Sequence, residues 1–413
     1  MRTLGIGPRL YLGDIYLSLL RDGHEVRAYS ESPTPAFGGL LTPIPDWRAA
    51  LPWVGHDGII LFESLGHGAT QDALRAEGYR VIGGSALGDR LEQDRAFGQA
   101  ALREAGLPIA ESHPFETRDA ALAWLAQHPG RYVLKHSHPD YTTFVGDHPA
   151  GHDLAFMLAR RPIGQVLLME RLEGVEVGIG AFFNGTRFLH PPCIDFEHKR
   201  FFPGDLGEMT GEMGTLASYE HATPLFDATL ARLAPLFASA NHVGYVNLNL
   251  IVDDRGIWPL EFTCRFGNPG FAVLAALQPP WATLLDAVAT GALSFDAAPG
   301  WSIAIVLTTP PFPARRDDAT PAHDAPLFFL SPPDDPRHYH FIDLRQDGTQ
   351  LLIHRRSGHA MIVTGTGPTI QSAQAAALAR AQNIIAPELR YRTDIGDRVL
   401  AADAASLRAW GWL

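Results

Sequence analysis

The chain has 413 residues, 46% hydrophobic and 19% charged, enough for a substantial core and for two to four domains. Its formal net charge of −12 argues against a nucleic-acid footprint or an anionic-membrane surface; no apolar run reaches transmembrane length, and the N-terminus MRTLGIGPRLYLGD has no signal-peptide core. Two cysteines, Cys193 and Cys264, suit a reducing cytoplasm and give no zinc spacing, and the 18 histidines form no H-E-x-x-H pattern.

Residues 1–87 read as an α/β unit. Strands are expected at 4–7, 25–29, 58–62 and 80–82, with helices at 12–21 and 70–77 between them. That alternation implies a parallel sheet, whose ligands bind beyond the carboxyl ends of the strands. The stretches 7–13 and 63–68 are therefore candidate ligand loops, or glycine turns alone. No complete G-x-G-x-x-G is present.

The spacing predicts one helix over 89–108, carrying Arg90, Asp94 and Arg95, and a small α+β unit over 109–180. In that unit Tyr132-Val133-Leu134-Lys135 is a buried strand whose lysine requires an anion or a carboxylate partner. Residues 136–146 read as a loop, and further strands are expected at 166–169 and 177–183. Glu176, opening a strand after a glycine turn, is a ribose-hydroxyl acceptor or a turn carboxylate. Asn184-Gly185 signals a hairpin turn. Residues 193–202 are dense in charge and aromatics, 203–214 read as a glycine-rich loop, and 223–240 as an amphipathic helix.

The stretch 242–270, HVGYVNLNLIVDDRGIWPLEFTCRFGNPG, carries the most information. It reads as two strands around a short turn, with Tyr245, Asn247, Asn249 and Ile251 on one face. In the second strand Trp258, Leu260 and Phe262 share a face, and Glu261, Thr263 and Arg265 lie on its reverse. A three-residue loop at 254–256 places Asn249 opposite Glu261 and Asn247 opposite Thr263. A four-residue loop puts Asn249 and Glu261 on opposite faces. The first register makes an oxygen cluster suited to magnesium, with Arg265 at its end; the alternative is a hairpin with a polar outer face. Asparagine is depleted in strands, so its recurrence at period two favours the cluster. Beyond it, helices are expected at 271–278, 281–290 and 369–385, the last capped by Thr369, and strands at 302–308, 340–344 and 360–364. The Pro- and Asp-rich run 310–335 reads as exposed loop.

The order of motifs then becomes informative. Leu91-Glu92 with Arg95-Ala96-Phe97 resembles L-E-x-x-K-x-F, and Tyr132 to Lys135 resembles a V-V-K strand. Met169-Glu170-Arg171-Leu172-Glu173-Gly174-Val175-Glu176 resembles the hinge E-E-F-L-x-G-x-E. Glu197-His198-Lys199-Arg200 with Thr210-Gly211-Glu212-Met213-Gly214 resembles D-H-K-R followed by N-T-G-G-M-G. Leu260 to Pro269 resembles L-E-F-N-x-R-F-G-D-P, and Tyr391 to Gly396 resembles Y-R-x-D-I-G. Six motifs in this order resemble the ATP-grasp ligases, and within them the phosphoribosylamine–glycine ligase family.

The resemblance implies an α/β and α+β multidomain chain with an ATP-grasp fold. Residues 1–87 would form the N-terminal parallel α/β pre-ATP-grasp domain and 88–300 the ATP-grasp domain, with 109–180 as its small nucleotide-covering part. Residues 301–413 would form a small, β-rich C-terminal α+β domain. It also implies roles. Glu170 and Leu172 would meet adenine through their backbones, Glu176 the ribose, and Lys135 and Arg95 the phosphates, Arg95 replacing a lysine. Glu261, Asn249 and Thr263 would hold Mg2+ or Mn2+. Arg265 and Lys199 would be catalytic, and Glu63, Gly7, Arg200 and Gly211 would contact substrate.

The implied reaction is ATP-dependent joining of a small carboxylate, such as an amino acid, to a small amine through an acyl phosphate. The partners are small molecules, with no nucleic acid and no membrane, and the chain is a cytoplasmic monomer or homodimer. Departures from the family pattern matter. Residues 136–146 lack the glycine-rich, lysine-bearing phosphate loop, for which His136 or His138 would substitute. Thr263 replaces the second metal asparagine, and Gly5 to Tyr11 replace the G-G-R-E-H-A segment that holds the substrate 5-phosphate. These favour a paralogue with a changed amine substrate. The alternatives are phosphoribosylamine–glycine ligase itself and an ATP-binding protein without catalysis.

Overall fold

A computed structural model describes residues 1–135, 143–161, 163–267, 270–313, 324–354 and 357–413. The residues singled out in the 136–146 loop, His136 and His138, lie outside the described residues.

The N-terminal unit is a four-stranded parallel sheet. Its order is Glu25–Ser30, Arg2–Gly7, Ile59–Phe62, Arg80–Ile82. Leu4, Ile6, Ile60 and Phe62 pack against Trp47, Val54 and Leu74 on one side. On the other side Ile59, Leu61 and Ile82 join Ile15, Tyr16 and Leu19 of the Gly13–Arg21 helix.

The helix expected over 89–108 is two, Ala86–Gln93 and Arg95–Glu104. Asp94 breaks it: its backbone is extended, and its carboxylate accepts from the Phe97 N–H as the N-cap of the second helix. The break lets Glu92 and Arg95 serve different parts of the molecule. Next comes a small antiparallel sheet in the order Ser112–Phe115, Val166–Glu170, Tyr132–Lys135, Phe144–Val145. Period-two alternation sends Leu134 and Leu168 to the two covering helices, Arg118–Gln127 and His152–Arg160. Val133 and Met169 go to the opposite face, towards the central sheet. Lys135, two residues after Val133, follows them.

The central sheet has eight strands. They run Gly256–Thr263, Val243–Asp253, Val175–Asn184, Cys193–Phe202, Leu206–Ser218, Trp301–Thr308, His359–Gly367, Tyr339–Phe341. One face is apolar: Val177, Ile179, Ile194, Phe196, Leu248, Leu250 and Phe262 pack under short helices at 223–239. The single amphipathic helix expected there is broken at Thr229. The stretch expected to be a loop at 203–214 is mostly strand, because the long neighbouring strand supplies its hydrogen-bond partners despite the glycines.

The boundary expected after residue 300 falls between neighbouring strands of this one sheet, since Trp301–Thr308 pairs with Leu206–Ser218. Three strands of the last 113 residues thus complete the central sheet, while Leu344–Asp347, Gln350–Ile353, Ala325–Phe329 and Ile384–Ile385 form a separate antiparallel one. The Ile370–Gln382 helix begins with the expected Thr369 cap, completed by Ser372. Among the described residues no helix is long and apolar enough to cross a membrane.

Candidate active site

The second face of the central sheet is polar, and alternation puts the expected site residues there. Asn247 pairs with Thr263 and Asn249 with Glu261. The register is the one that gathers the oxygen cluster, but it arises differently from expectation. Asp253 pairs directly with Gly256, leaving a two-residue turn. The Asp253 carboxylate holds that turn, accepting from the Arg255 and Gly256 N–H groups and from Trp258 Nε1 at 2.9–3.0 Å. A bulge then follows, with Asn249 opposite Glu261 and Leu250 opposite Pro259, so that Leu260 is the extra residue. The bulge moves Trp258 off the Phe262 face expected for it. Trp258 and Leu260 lie with Ile251 against Val133, Met169, Leu172 and Ala110, an apolar slot between the two sheets.

The hinge borders this slot. Glu170 spends its N–H on the Glu111 carbonyl at 2.9 Å. Leu172 buries its side chain in the slot, and among the described residues its N–H and C=O have no partner. Leu172 can therefore offer a planar base both a donor and an acceptor beside an apolar surface.

Glu176 sits on the polar face and not at the hinge. Its Oε1 accepts from Lys199 Nζ at 2.9 Å and from Asn249 Nδ2 at 3.0 Å. Lys199 also lies 3.2 Å from Glu197 Oε2. Asn249 thus keeps its side-chain oxygen for a ligand beside Glu261. The Thr263 hydroxyl has no hydrogen-bond partner among the described residues. Arg265 is held by Glu92 Oε1 at 3.1 Å, and the other Glu92 oxygen accepts from the Cys264 N–H at 2.8 Å. The helix break at Asp94 then carries Arg95 towards Met169 Sδ, 3.5 Å away.

Four expected substrate contacts are placed differently. Gly7 and Glu63 close on each other: a Cβ on Gly7 would lie 2.0 Å from Glu63 Oε2. Glu63 is 2% exposed and accepts from the Tyr11 N–H and the Tyr16 hydroxyl, both at 2.7 Å. Arg200 donates to the Gly207 carbonyl of its own hairpin at 2.7 Å. Gly211 is exposed, with nothing within 4 Å of its Cβ position.

Residues 93–271 match the family model described as phosphoribosylglycinamide synthetase, ATP-grasp (A) domain. The phosphoribosylamine–glycine ligase of Streptomyces coelicolor is 29% identical over 414 aligned positions, covering 94% of this chain and 92% of that one. That of Leifsonia xyli is 29% identical over 343, covering 79% and 81%. The crystal structure of phosphoribosylamine–glycine ligase from Thermotoga maritima superposes with a TM-score of 0.71 at 19% identity, over 96% of this chain and 100% of that one. A biotin carboxylase domain from Hydrogenobacter thermophilus, crystallised with MgADP, superposes with a TM-score of 0.67 at 12% identity, over 98% and 97%. This chain is an ATP-grasp ligase resembling phosphoribosylamine–glycine ligase.

The electrostatics of the ligase fit ATP as its co-substrate. Burial, and next the Arg95 guanidinium, lower the Lys135 ammonium to about 8. Arg95 is itself lowered by burial, against the pull of Glu261. Two half-buried cations, with no carboxylate bonded to either among the described residues, make a place for a polyanion. Burial alone would lower Lys199, but Glu176 and Glu197 outweigh it and hold it above the usual lysine range. Lys199 is thus a fixed cation and not a base. Glu261, Asn249 and Thr263 offer magnesium one carboxylate and neutral oxygens, the sparse set it takes when phosphates complete its shell. Among the described residues no three acidic, His or Cys side chains form a self-sufficient metal site.

Several members of this face did not stand out in the sequence. Glu92 was a motif letter and proves to be the carboxylate that aims Arg265. Asp195 and Glu197 share the polar face with Lys199 at period two, a signal present in D-F-E-H-K but masked by the aromatics between. Glu212, in a stretch read as loop, is buried and accepts from Thr215 Oγ1.

Proposed function

We propose that this ATP-dependent carboxylate–amine ligase activates an amino acid and joins it to an amine other than phosphoribosylamine. The observation that carries the reading is Glu63. Its carboxylate accepts the Tyr11 N–H, and the Leu12 amide also favours its charged form, at the carboxyl end of the first strand and just before the Gly13–Arg21 helix. Those amides are what a substrate phosphate would use at such a place. A buried internal carboxyl group already fills it and occupies the donors that a substrate phosphate would need.

The chemistry then needs four things. Leu172 and its apolar slot hold the base. Lys135 and Arg95 hold the phosphates, and Glu261 with Asn249 would hold magnesium, which screens charge on the transferring phosphoryl group when bound. The substrate carboxylate oxygen attacks the γ-phosphorus and ADP leaves, giving an acyl phosphate. Arg265, aimed by Glu92, balances the charge there. The amine attacks the acyl carbon, phosphate departs, and the amine loses a proton to solvent or phosphate as the amide forms. No step requires a protein nucleophile.

The test is ADP release by purified protein with ATP, Mg2+ and amino acids against phosphorylated and unphosphorylated amines, with products identified by mass. Coupled ADP and amide formation with an unphosphorylated amine supports the reading. Complementation of a purine auxotroph lacking phosphoribosylamine–glycine ligase would overturn it in favour of that enzyme's own reaction, the second reading, which the alignment over 94% of the chain favours. Any coupled turnover excludes a protein that only binds ATP.

A further inference from the structure

Deeper on the polar face than the phosphate-binding edge lies a second group of polar side chains. The sheet register brings it together: Gly178 is flanked by Asn249 and Asp195, and Gly180 by Asn247 and Cys193. The two glycines, lacking side chains, let Asp195 and Tyr245 lie close over the sheet. A Cβ on Gly178 would lie 2.2 Å from Asp195 Oδ1, and one on Gly180 would lie 1.9 Å from Tyr245 Oη and 3.1 Å from Asn247 Nδ2. Asp195 is 5% exposed, and among the described residues only one of its oxygens has a protein donor, Asn247 Nδ2 at 2.7 Å from Oδ2. Tyr245 is 4% exposed, and among the described residues its hydroxyl has no hydrogen-bond partner. A buried unpartnered hydroxyl is costly in a native structure unless something binds it.

The charge here is out of balance. Asp195 interacts electrostatically with Glu197 and Glu176, and Glu212 with Glu197 and Asp195, while Lys199 is the cation all of them share. Burial, with Glu197 adding to it, pushes Asp195 up to about 7 and Glu212 up to about 8. These carboxylates do not converge into a metal site. A monovalent organic cation, which donates one hydrogen bond to each of several acceptors, suits them better.

We propose that Asp195, with the Tyr245 hydroxyl, binds the protonated amine of the acid that the ligase activates, and so selects amino acids over simple carboxylic acids. The proposal rests on the carboxylate–amine ligase reading above. Chemistry decides which amine is meant. A nucleophilic amine needs its lone pair free, and carboxylates around it would keep it protonated. The clamped amine is therefore the spectator on the activated acid and not the attacking one. Holding it as ammonium also keeps that amine from acting as a nucleophile itself.

The experiment measures ADP release for each proteinogenic amino acid and, for those that turn over, for the acid lacking the amine: acetate against glycine, propionate against alanine. The wild-type protein is expected to favour the amino acid over its amine-free analogue by about 10- to 100-fold in kcat/KM, the worth of a charged hydrogen bond. In Asp195→Asn that preference collapses through a raised KM for the amino acid, with KM for ATP unchanged. Tyr245→Phe removes only the unpartnered hydroxyl, so it folds with wild-type stability yet raises the amino-acid KM several-fold. Equal turnover of acetate and glycine, or an unchanged amino-acid KM in both variants, overturns the assignment of Asp195 while leaving the ligase reading standing. Failure of every acid to support ADP release overturns the ligase reading and this assignment with it.

Discussion

Asn249 and Glu261 face each other across the hairpin because Leu260 is an extra residue that offsets a two-residue turn. Without the bulge that turn would set Leu260 opposite Asn249 and leave Glu261 on the other face. The Glu261 carboxylate, brought beside the asparagine, is therefore where magnesium and the phosphates would meet. Glu261→Gln keeps size and strand propensity and removes the charge. The expected outcome is a loss of Mg2+-dependent ADP release of at least about 100-fold, with the urea midpoint of unfolding unchanged. Wild-type turnover in this variant would show that the hairpin is not the metal site.

Lys135 gives a pH signature for nucleotide binding. In the ligand-free chain burial and Arg95 hold its pKa at about 8. Below that value the ammonium is ready for a phosphate. Above it, binding must first recruit a proton, so the ATP dissociation constant is expected to rise as pH increases from about 7.5 to 9.5. Lys135→Arg keeps a cation that does not titrate in that range, and its dissociation constant should stay flat over the same interval. Parallel profiles for the two proteins, measured by calorimetry, would remove Lys135 from the phosphate site.

Glu63 links the N-terminal ligand region to stability. Burial raises its carboxyl from 4.5 to about 7, against the lowering effect of hydrogen bonds from Tyr16, Tyr11 and Leu12. Between those values the folded protein keeps a proton that the unfolded chain has lost. The stabilising contribution is full below about pH 4.5 and falls as pH rises towards 7. Asp195 and Glu212 are raised as well and act in the same direction. Glu63→Gln cannot titrate, so the slope of unfolding free energy against pH between about 5 and 7 should shrink by up to one proton. An identical slope in the variant would mean that this carboxyl titrates normally.

Much of this arrangement was legible in the sequence, for identifiable reasons. The polar hairpin face showed because asparagine at period two is rare in strands, and the motif order placed Lys135, Glu261 and Arg265 on their elements. What stayed hidden depends on contacts between distant segments. The bulge at Leu260 leaves no local signal beyond Pro259, yet it reverses the face of Trp258. The helix break at Asp94 is a side-chain cap inside a pattern that is otherwise continuous. The 206–218 strand has no apolar period of its own and forms because its neighbours supply the ladder. Glu63 read as a substrate contact, since nothing local reveals that Tyr11 and Tyr16 already satisfy it.

Arg392 tests the last of these long-range contacts. It is 1% exposed, and its guanidinium donates to Asp394 at 2.7 and 2.8 Å, to Asp205 at 2.8 Å and to the Arg200 carbonyl at 3.0 Å. Asp394 in turn accepts from the Gly204 N–H at 2.8 Å. The closing motif of the chain thus clamps the 203–205 turn, from which the strand bearing Glu197, Lys199 and Arg200 runs back to the polar face. Arg392→Met fills the volume but removes the guanidinium donor from two carboxylates and a carbonyl, leaving Asp394 the Gly204 N–H and Asp205 the more distant Arg398. Loss of one partner from a buried charge network costs about 3–5 kcal/mol, less here because both aspartates are partly exposed, so a loss of roughly 3 kcal/mol is expected in urea unfolding. If the clamp also sets Lys199, the variant should lose kcat beyond its loss of folded protein, while KM for ATP, set by Lys135 and Leu172 on other segments, stays near wild type. A variant as stable as wild type would mean that the clamp adds nothing to folding, and a fully active folded fraction would separate it from the position of Lys199.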